Sequence, residues 1–374
     1  MQVTLDISPA INGKAGLGRY AASLAAALAA ERPGAVRLFA NQTSSAREVP
    51  ELAGLPIRTV RAGYKPWRMG VYAAQIAHVP FNRWVGPCDL FHATEHLLVP
   101  VHGAPSVLTI HDLIFELFPE HHKGLNKAYL TRALPLFARR AQHVITVSEQ
   151  SKADIMRLYG VPEARISVIY EAAAPHFKPQ PPEAVAGVRA RYALPERYLV
   201  TLGTIEPRKN LPRLVEALAA LRANHPDLAL VVIGAEGWLT GGFFEALARF
   251  GQQDAVIRPG YVPDADLPAM LAGALAAAQP SLYEGFGLPV LEAMACGTPV
   301  ACSSTSSLGE VAGEAALTFD PTDTGALVAA LRALVEQPTL RAELRTRGLA
   351  RAAQFSWARA ASETWAVYEA LARP

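Results

Sequence analysis

Cysteine is almost missing from this chain. Its 374 residues hold three, Cys88, Cys296 and Cys302, none at a metal-binding spacing. That argues against a disulfide framework and fits a reduced cytoplasm. An excess of either charge is missing too. Lys and Arg number 35, Asp and Glu 33, and the net charge of +2 gives no case for nucleic-acid binding. No apolar run reaches the length of a membrane span before a charge or proline interrupts it, so no transmembrane helix is expected. Met1 to Ser8 reads as a strand and lacks the charged start and long apolar core of a signal peptide. The expected location is the cytoplasm, with a peripheral place at the inner face of a membrane left open by residues 61–84.

Hydrophobic residues make up 51% of the chain, which excludes disorder. The length is too great for one core and suits two domains. Pro175, Pro179, Pro181 and Pro182 mark a linker, so domains are expected over 1–178 and 185–355. Strand and helix patterns alternate along both, which is the pattern of an α/β protein with parallel sheets.

The most informative stretch is 281–302. An apolar run ends at Leu282, followed by Glu284-Gly285-Phe286-Gly287-Leu288-Pro289 and a helix carrying Glu292. Gly297 closes that helix and Pro299 opens another strand. The two glycines let backbone amides approach a ligand, and the helix start favours anionic or polar atoms. Such a loop lies at the carboxyl end of a parallel strand, where open α/β sheets bind ligands. A second cluster follows strand 198–203, in Gly203-Thr-Ile-Glu-Pro207-Arg208-Lys209-Asn210. Two cations in a loop near a helix start can hold a diphosphate and stabilise it as it leaves. A third follows the first strand: Gly16-Leu17-Gly18, expected as a glycine-rich loop cradling phosphate before a long helix to about Ala30.

The segment 284–300 resembles the Glu-x7-Glu signature of retaining glycosyltransferases of family four, closest in appearance to bacterial mannosyltransferases. The resemblance covers nearly the whole chain and is strongest from Leu199 to Pro321. It implies the GT-B fold, two facing Rossmann-like doubly wound domains with the site in the cleft, and a terminal helix over 356–374 crossing back to the first domain. It implies that Gly16 and Gly18 meet the donor's diphosphate or sugar, and that His111, at a strand's carboxyl end, bonds a sugar hydroxyl. Arg208 and Lys209 would neutralise the diphosphate. Glu284 and the amides of Gly285, Phe286, Gly287 and Leu288 would hold the sugar ring. Glu292 would accept from the ribose, and Gly260 to Val262 would meet the base through backbone groups. One departure stands out. Many relatives have Asn-Gly-Val after the last strand of the first half; this chain has Tyr170-Glu171-Ala.

Simpler roles compete at other positions. His92 reads as a satisfied histidine at a strand end, His111 could be held by Asp112, and His121-His122 read as loop. Ser148 is expected to cap the helix 149–159. Asp264 and Asp266 have the form of a metal-binding pair, but helix capping is the better reading, so no metal and no cofactor is expected. Residues 61–84 mix Arg61, Lys65, Arg68 and Arg83 with aromatics. They fit an amphipathic helix packed on the sheet better than a weak contact with a lipid-linked acceptor.

The expected activity is transfer of a hexose, foremost mannose from GDP-mannose, with retention, to a carbohydrate or lipid-linked acceptor in polysaccharide or lipopolysaccharide synthesis. UDP-glucose or another UDP-sugar is the alternative donor. A nucleotide-sugar epimerase and a non-catalytic nucleotide-sugar binder are less favoured, because the carboxylates and the Arg-Lys pair are both present. Glu284→Ala and Lys209→Ala are each expected to lose most turnover while remaining folded.

Overall fold

Short apolar runs, buried on both faces, form the centre of each half of the chain in the computed structural model, which describes residues 1–44, 46–121, 124–260 and 262–372. The first half holds β1 (Val3–Asp6), β2 (Val36–Asn41), β3 (Ile57–Val60), β4 (Leu90–Ala93), β5 (Ser106–Ile110), β6 (His143–Thr146) and β7 (Ile166–Val168). They form one parallel sheet in the order β3-β2-β1-β4-β5-β6-β7. The second half holds β8 (Tyr198–Leu202), β9 (Ala229–Ile233), β10 (Val256–Gly260), β11 (Ala276–Gln279), β12 (Val300–Ser303) and β13 (Leu317–Phe319). Their order is β10-β9-β8-β11-β12-β13, again all parallel. The central strands β1, β5, β8 and β9 are buried throughout, whereas the edge strand β3 is largely exposed. Parallel strands covered by helices on both faces must be apolar on both faces, and these are.

Each sheet has one switch point. In the first, the chain leaves β1 toward β2 on one side and returns as β4 on the other; in the second, β8 is flanked by β9 and β11 in the same way. The carboxyl ends of β1 and β4, and of β8 and β11, therefore frame the crevices where open α/β sheets take ligands.

Two compact units result: residues 1–171 with those from 356 onward, and residues 172–355. In the first, Phe39, Phe91, Phe137 and Val71 are fully buried between sheet and helices. The last helix, Trp357–Ala372, packs in this unit. Trp365 Nε1 donates to the Leu28 carbonyl, Arg32 pairs with Glu369 at 2.5 Å, and the Tyr368 hydroxyl lies 2.6 Å from His92 Nδ1. In the second unit Leu199, Leu214, Leu218, Val232 and Leu331 form the core.

Local expectations meet the structure unevenly. Ser148 does cap Glu149–Tyr159, accepting from Ser151 N. Residues 64–77 form an amphipathic helix that buries Trp67, Val71 and Ala74 and leaves Met69 and Ile76 outside, as the packed reading requires. Pro181 and Pro182 do not lie in an open linker; they start the helix Pro182–Tyr192, where a proline lacks no needed donor. The glycine pair expected in a loop lies instead in the first turns of the helix Ala15–Glu31. Gly18 has a packing reason to be glycine, since a Cβ there would sit 3.0 Å from the Pro9 carbonyl oxygen, while Gly16 faces open space.

Candidate active site

The switch point of the second sheet gathers the strongest cluster. Gly203 ends β8 with φ +141°, a conformation that side chains rarely adopt, and a Cβ there would lie 2.9 Å from Lys209 Cε. The bare backbone thus gives Lys209 a track to lie along. Pro207–Lys209 form a single 3-10 turn, and Asn210, in the left-handed region at φ 55°, redirects the chain into the helix Leu211–Arg222. Its side chain donates to the carbonyls of Pro280 and Pro321, tying this turn to the end of β11 and to the loop after β13.

Glu284, in the loop after β11, meets that turn. Lys209 Nζ donates to Oε1 at 2.6 Å, Arg208 Nη1 to Oε2 at 2.6 Å, and Ser281 Oγ to Oε1 at 2.6 Å. Arg208 also donates to the Tyr283 carbonyl at 2.9 Å and pairs with Glu206. Burial alone would raise the Glu284 carboxyl, but the charges of Arg208 and Lys209 and the hydrogen bonds from Lys209 and Ser281 outweigh it and bring the pKa down to about 2. Burial and the neighbouring Arg208 push Lys209 below the ordinary lysine range, with Glu284 pulling the other way. The loop behind is fixed by serines: Ser306 Oγ accepts from Glu284 N, and Ser307 Oγ donates to the carbonyls of Glu284 and Phe286.

Gly285, Phe286 and Gly287 are buried, and Leu288 begins the helix Leu288–Ala295 after Gly287 at φ +112°. Pro289 has no amide, and the amides of Val290 and Leu291 donate to the Gly287 carbonyl at 2.9 and 3.4 Å, closing the first turn. The Phe286 ring packs edge-on against Phe355 at 6.0 Å. Glu292 is 2% exposed, in the second turn of the same helix. Val262 is buried just after β10. Tyr261 and His122 lie outside the described residues.

The switch point of the first sheet holds a different set. Asp6, at the end of β1, accepts from the amide and hydroxyl of Ser8, and burial raises its pKa to about 7. Lys14 Nζ is 2.5 Å from Glu95 Oε2, joining the segments that follow β1 and β4. His111, after β5, has both ring nitrogens engaged: Nδ1 with Glu171 Oε1 at 3.1 Å and Nε2 with the Thr94 carbonyl at 3.0 Å. A carbonyl only accepts, so Nε2 carries a proton. The Tyr20 ring meets the imidazole edge-on at 4.5 Å.

This revises two expectations. His111 is held by Glu171, not Asp112, and it offers no unengaged nitrogen to a sugar hydroxyl in this arrangement. The residue at which the chain departs from Asn-Gly-Val is the one that supplies its partner. Burial works against charging His111, but the hydrogen bond and charge of Glu171, the Thr94 carbonyl and Asp112 raise its pKa overall. A histidine raised on folding stabilises fully below its ordinary value of about 6.5 and loses that contribution as pH climbs through the elevated one. Glu171→Gln is therefore expected to lower the His111 pKa in an imidazole NMR titration and to flatten the alkaline fall of stability in urea unfolding. Superimposable titrations of the two proteins would contradict the assignment.

Comparison with known proteins agrees with this geometry. Residues 15–173 match the family model described as Glycosyltransferase Family 4, and residues 189–351 match Glycosyl transferases group 1. The chain is 35% identical over 288 residues to an O-antigen chain mannosyltransferase B of Escherichia coli, covering 76% of this chain and 75% of that protein. The chain belongs to glycosyltransferase family four. It is also 34% identical over 241 residues, 63% of this chain and 56% of the other, to an MMP alpha-(1->4)-mannosyltransferase of Mycolicibacterium hassiacum. Among solved structures, a sucrose-phosphate synthase from Thermosynechococcus elongatus superimposes with a TM-score of 0.78 at 22% identity, covering 99% of each chain. The fold of this glycosyltransferase is GT-B, with its two Rossmann-like parallel sheets.

Other residues of the glycosyltransferase take simpler places. His92 is fully buried between Tyr368 and Thr109, and burial lowers its pKa to about 3, so it is neutral. Asp266 stands at the start of a helix but does not cap it with its side chain; it pairs with Arg191 at 2.6 Å and accepts from the Tyr192 hydroxyl at 2.7 Å. Among the described residues no group of three His, Cys, Asp or Glu gathers as metal donors. No helix among them is long and apolar enough to cross a membrane. Glu206, Ser281, Lys14 and Glu95 were given no role from the sequence, and Glu171 was marked there only as a departure from the relatives' pattern. Glu206 had a signal there, since it falls inside the Thr-x-Glu-Pro-Arg-Lys motif.

Proposed function

We propose that this glycosyltransferase moves mannose from GDP-mannose to an acceptor hydroxyl of a carbohydrate, with retention of configuration, in cell-surface polysaccharide synthesis. The observation that carries the proposal is the convergence of Arg208, Lys209 and Glu284 at the switch point of the second sheet. The mannosyltransferase relatives support the choice of sugar.

Arg208 and Lys209 receive the diphosphate. An ammonium carries more donors than the one Glu284 uses, so Lys209 can hold the carboxylate and a phosphate oxygen together. Glu284 keeps the cations ionised and aimed before substrate arrives, which is electrostatic preorganisation. The amides of Gly285 to Leu288 hold the sugar, and Glu292 accepts from the ribose. The bond from the sugar's anomeric carbon to phosphate breaks as the acceptor oxygen attacks the same face. The acceptor proton passes to the departing phosphate oxygen, so no side chain serves as general base.

Thermal-shift screening tests the donor. A ligand present at one hundred times its Kd and bound only by the native state adds about 2.7 kcal/mol of stability. GDP-mannose is expected to raise the melting temperature more than UDP-glucose or UDP-N-acetylglucosamine. A larger shift with a UDP-sugar would overturn the donor, and a β-linked product by anomeric-proton NMR would overturn retention.

A further inference from the structure

Two cavities adjoin at the switch point of the first sheet, in the unit that does not carry Arg208, Lys209 and Glu284, the groups to which the proposed function gives the donor. The inner one, about 310 Å³, is walled by Leu17, Leu97 and Phe115 on its apolar side and by Glu95, His96 and Asp112 on its polar side. The outer one, about 730 Å³, is lined by Asn12, Gln42, Thr43 and Arg61. Lys14 and Tyr64 belong to both. Lys14 Nζ lies 3.4 Å from the Tyr64 hydroxyl, so this pair forms the waist between them.

The inner cavity has the character a pyranose requires, an apolar wall for the ring face and converging donors and acceptors for its hydroxyls. Its formal charges cancel, Lys14 and Arg68 against Glu95 and Asp112. Lys14 is paired with Glu95, and Arg68 lies 3.9 Å over the Tyr129 ring with a hydrogen bond to Asn126 Oδ1 at 2.7 Å. His96 Nε2 accepts from the His111 amide, so its proton is on Nδ1, and burial lowers its pKa to about 4. The polar lining therefore combines two carboxylates, two cations and a neutral imidazole. A phosphate or carboxylate there would add negative charge beside Glu95 and Asp112, in a lining whose formal charges already cancel. Hydroxyls, which donate and accept, suit both carboxylates and the lysine. Beyond the waist, the outer cavity is wide and lined mainly by uncharged polar groups.

We propose that the two cavities are consecutive sugar subsites, so that the acceptor is the end of an uncharged oligosaccharide at least two residues long. Its terminal sugar sits in the inner cavity against Glu95 and Asp112. The preceding sugar passes the edge of Tyr64, whose ring carries Lys14 and Arg68 over it at 4.7 and 5.1 Å, and lies against Thr43 and Arg61. This inference rests on the proposed glycosyl transfer for the direction of the chain, but not on the identity of the donor.

Saturation-transfer NMR on the full chain tests it without turnover. The probes are methyl α-mannoside, maltose, α-linked mannobiose, mannotriose and mannose 6-phosphate. Mannobiose and mannotriose are expected to bind at least tenfold tighter than the monosaccharide, and mannose 6-phosphate more weakly than either. Arg61→Ala and Thr43→Ala, on the outer cavity, are expected to remove that tenfold gain and leave monosaccharide binding unchanged. Glu95→Gln is expected to weaken all of the neutral sugars while GDP-mannose still raises the melting temperature. Equal binding of mono- and disaccharides, a preference for the sugar phosphate, or no binding of any neutral saccharide would overturn the inference. Intact disaccharide binding with no turnover of any nucleotide-sugar would instead count against the proposed function alone.

Discussion

Lys209→Ala is expected to lower kcat/KM by about two to three orders of magnitude, equivalent to about 3–4 kcal/mol of transition-state stabilisation. The reason is geometric. Lys209 lies along Gly203 with its ammonium 2.6 Å from Glu284, buried at the carboxyl end of β8. A charge in so dry a place acts strongly on a departing diphosphate. Stability should change far less than turnover, because Glu284 keeps Arg208 and the Ser281 hydroxyl as partners. Steady-state kinetics with a urea unfolding curve separates the two effects. Near-normal kcat/KM in a folded Lys209→Ala protein would remove the lysine from the site.

Glu284→Ala is expected to behave differently from what the sequence suggests. It should lose most turnover, but it should also lose stability. The substitution takes from buried Lys209 the carboxylate it bonds and from Arg208 one of its two carboxylate partners, Glu206 staying in place. Removing one partner of a buried ion pair costs about 3–5 kcal/mol, a large part of a typical total of about 5–15 kcal/mol. The pH dependence has a definite sign. The Glu284 pKa is about 2 in the folded protein against an ordinary 4.5. A carboxylate depressed on folding contributes fully above its ordinary value and loses that contribution as pH falls through the folded one, here about 3 kcal/mol. Wild-type stability should therefore fall between pH 4.5 and about 2, and Glu284→Ala should show a smaller fall over that window. Identical acid limbs in urea unfolding would show that the carboxylate has no such role. Glu284→Gln keeps the volume and one acceptor oxygen, and is the variant in which to read turnover.

The fold was legible because its signals are local. Buried strands such as Ala229–Ile233 read as apolar runs, and the proline at 289 and the glycine at 297 bracket a helix wherever it packs. The Arg208-Lys209 and Glu284 loops were legible as candidates because a parallel strand's carboxyl end is the expected place for a ligand. Their direct pairing was not, since residues 209 and 284 are far apart in sequence and only the strand order β9-β8-β11 makes them neighbours. The same holds for Lys14 with Glu95 and for His111 with Glu171, each joined across the first sheet. Glycines misled for a physical reason. Gly16 and Gly18 fit a loop equally well by composition, but Gly18 is small because a helix passes close to the Pro9 carbonyl. Asp266 fitted a cap by position, yet Arg191 and Tyr192, brought near by the helix Pro182–Tyr192, draw its carboxylate away from the helix amides.

The central claim is that the basic turn after β8 grips the donor's diphosphate. Calorimetric titration of GDP into the wild-type chain and into Arg208→Ala tests it most directly, with unfolding curves to confirm that both are folded. The expected result is tight binding by the wild type and an affinity at least tenfold weaker in the variant, a loss of about 1.4 kcal/mol or more. Equal affinities would contradict it, because a diphosphate held elsewhere would leave the turn Pro207–Lys209 with a purely structural task.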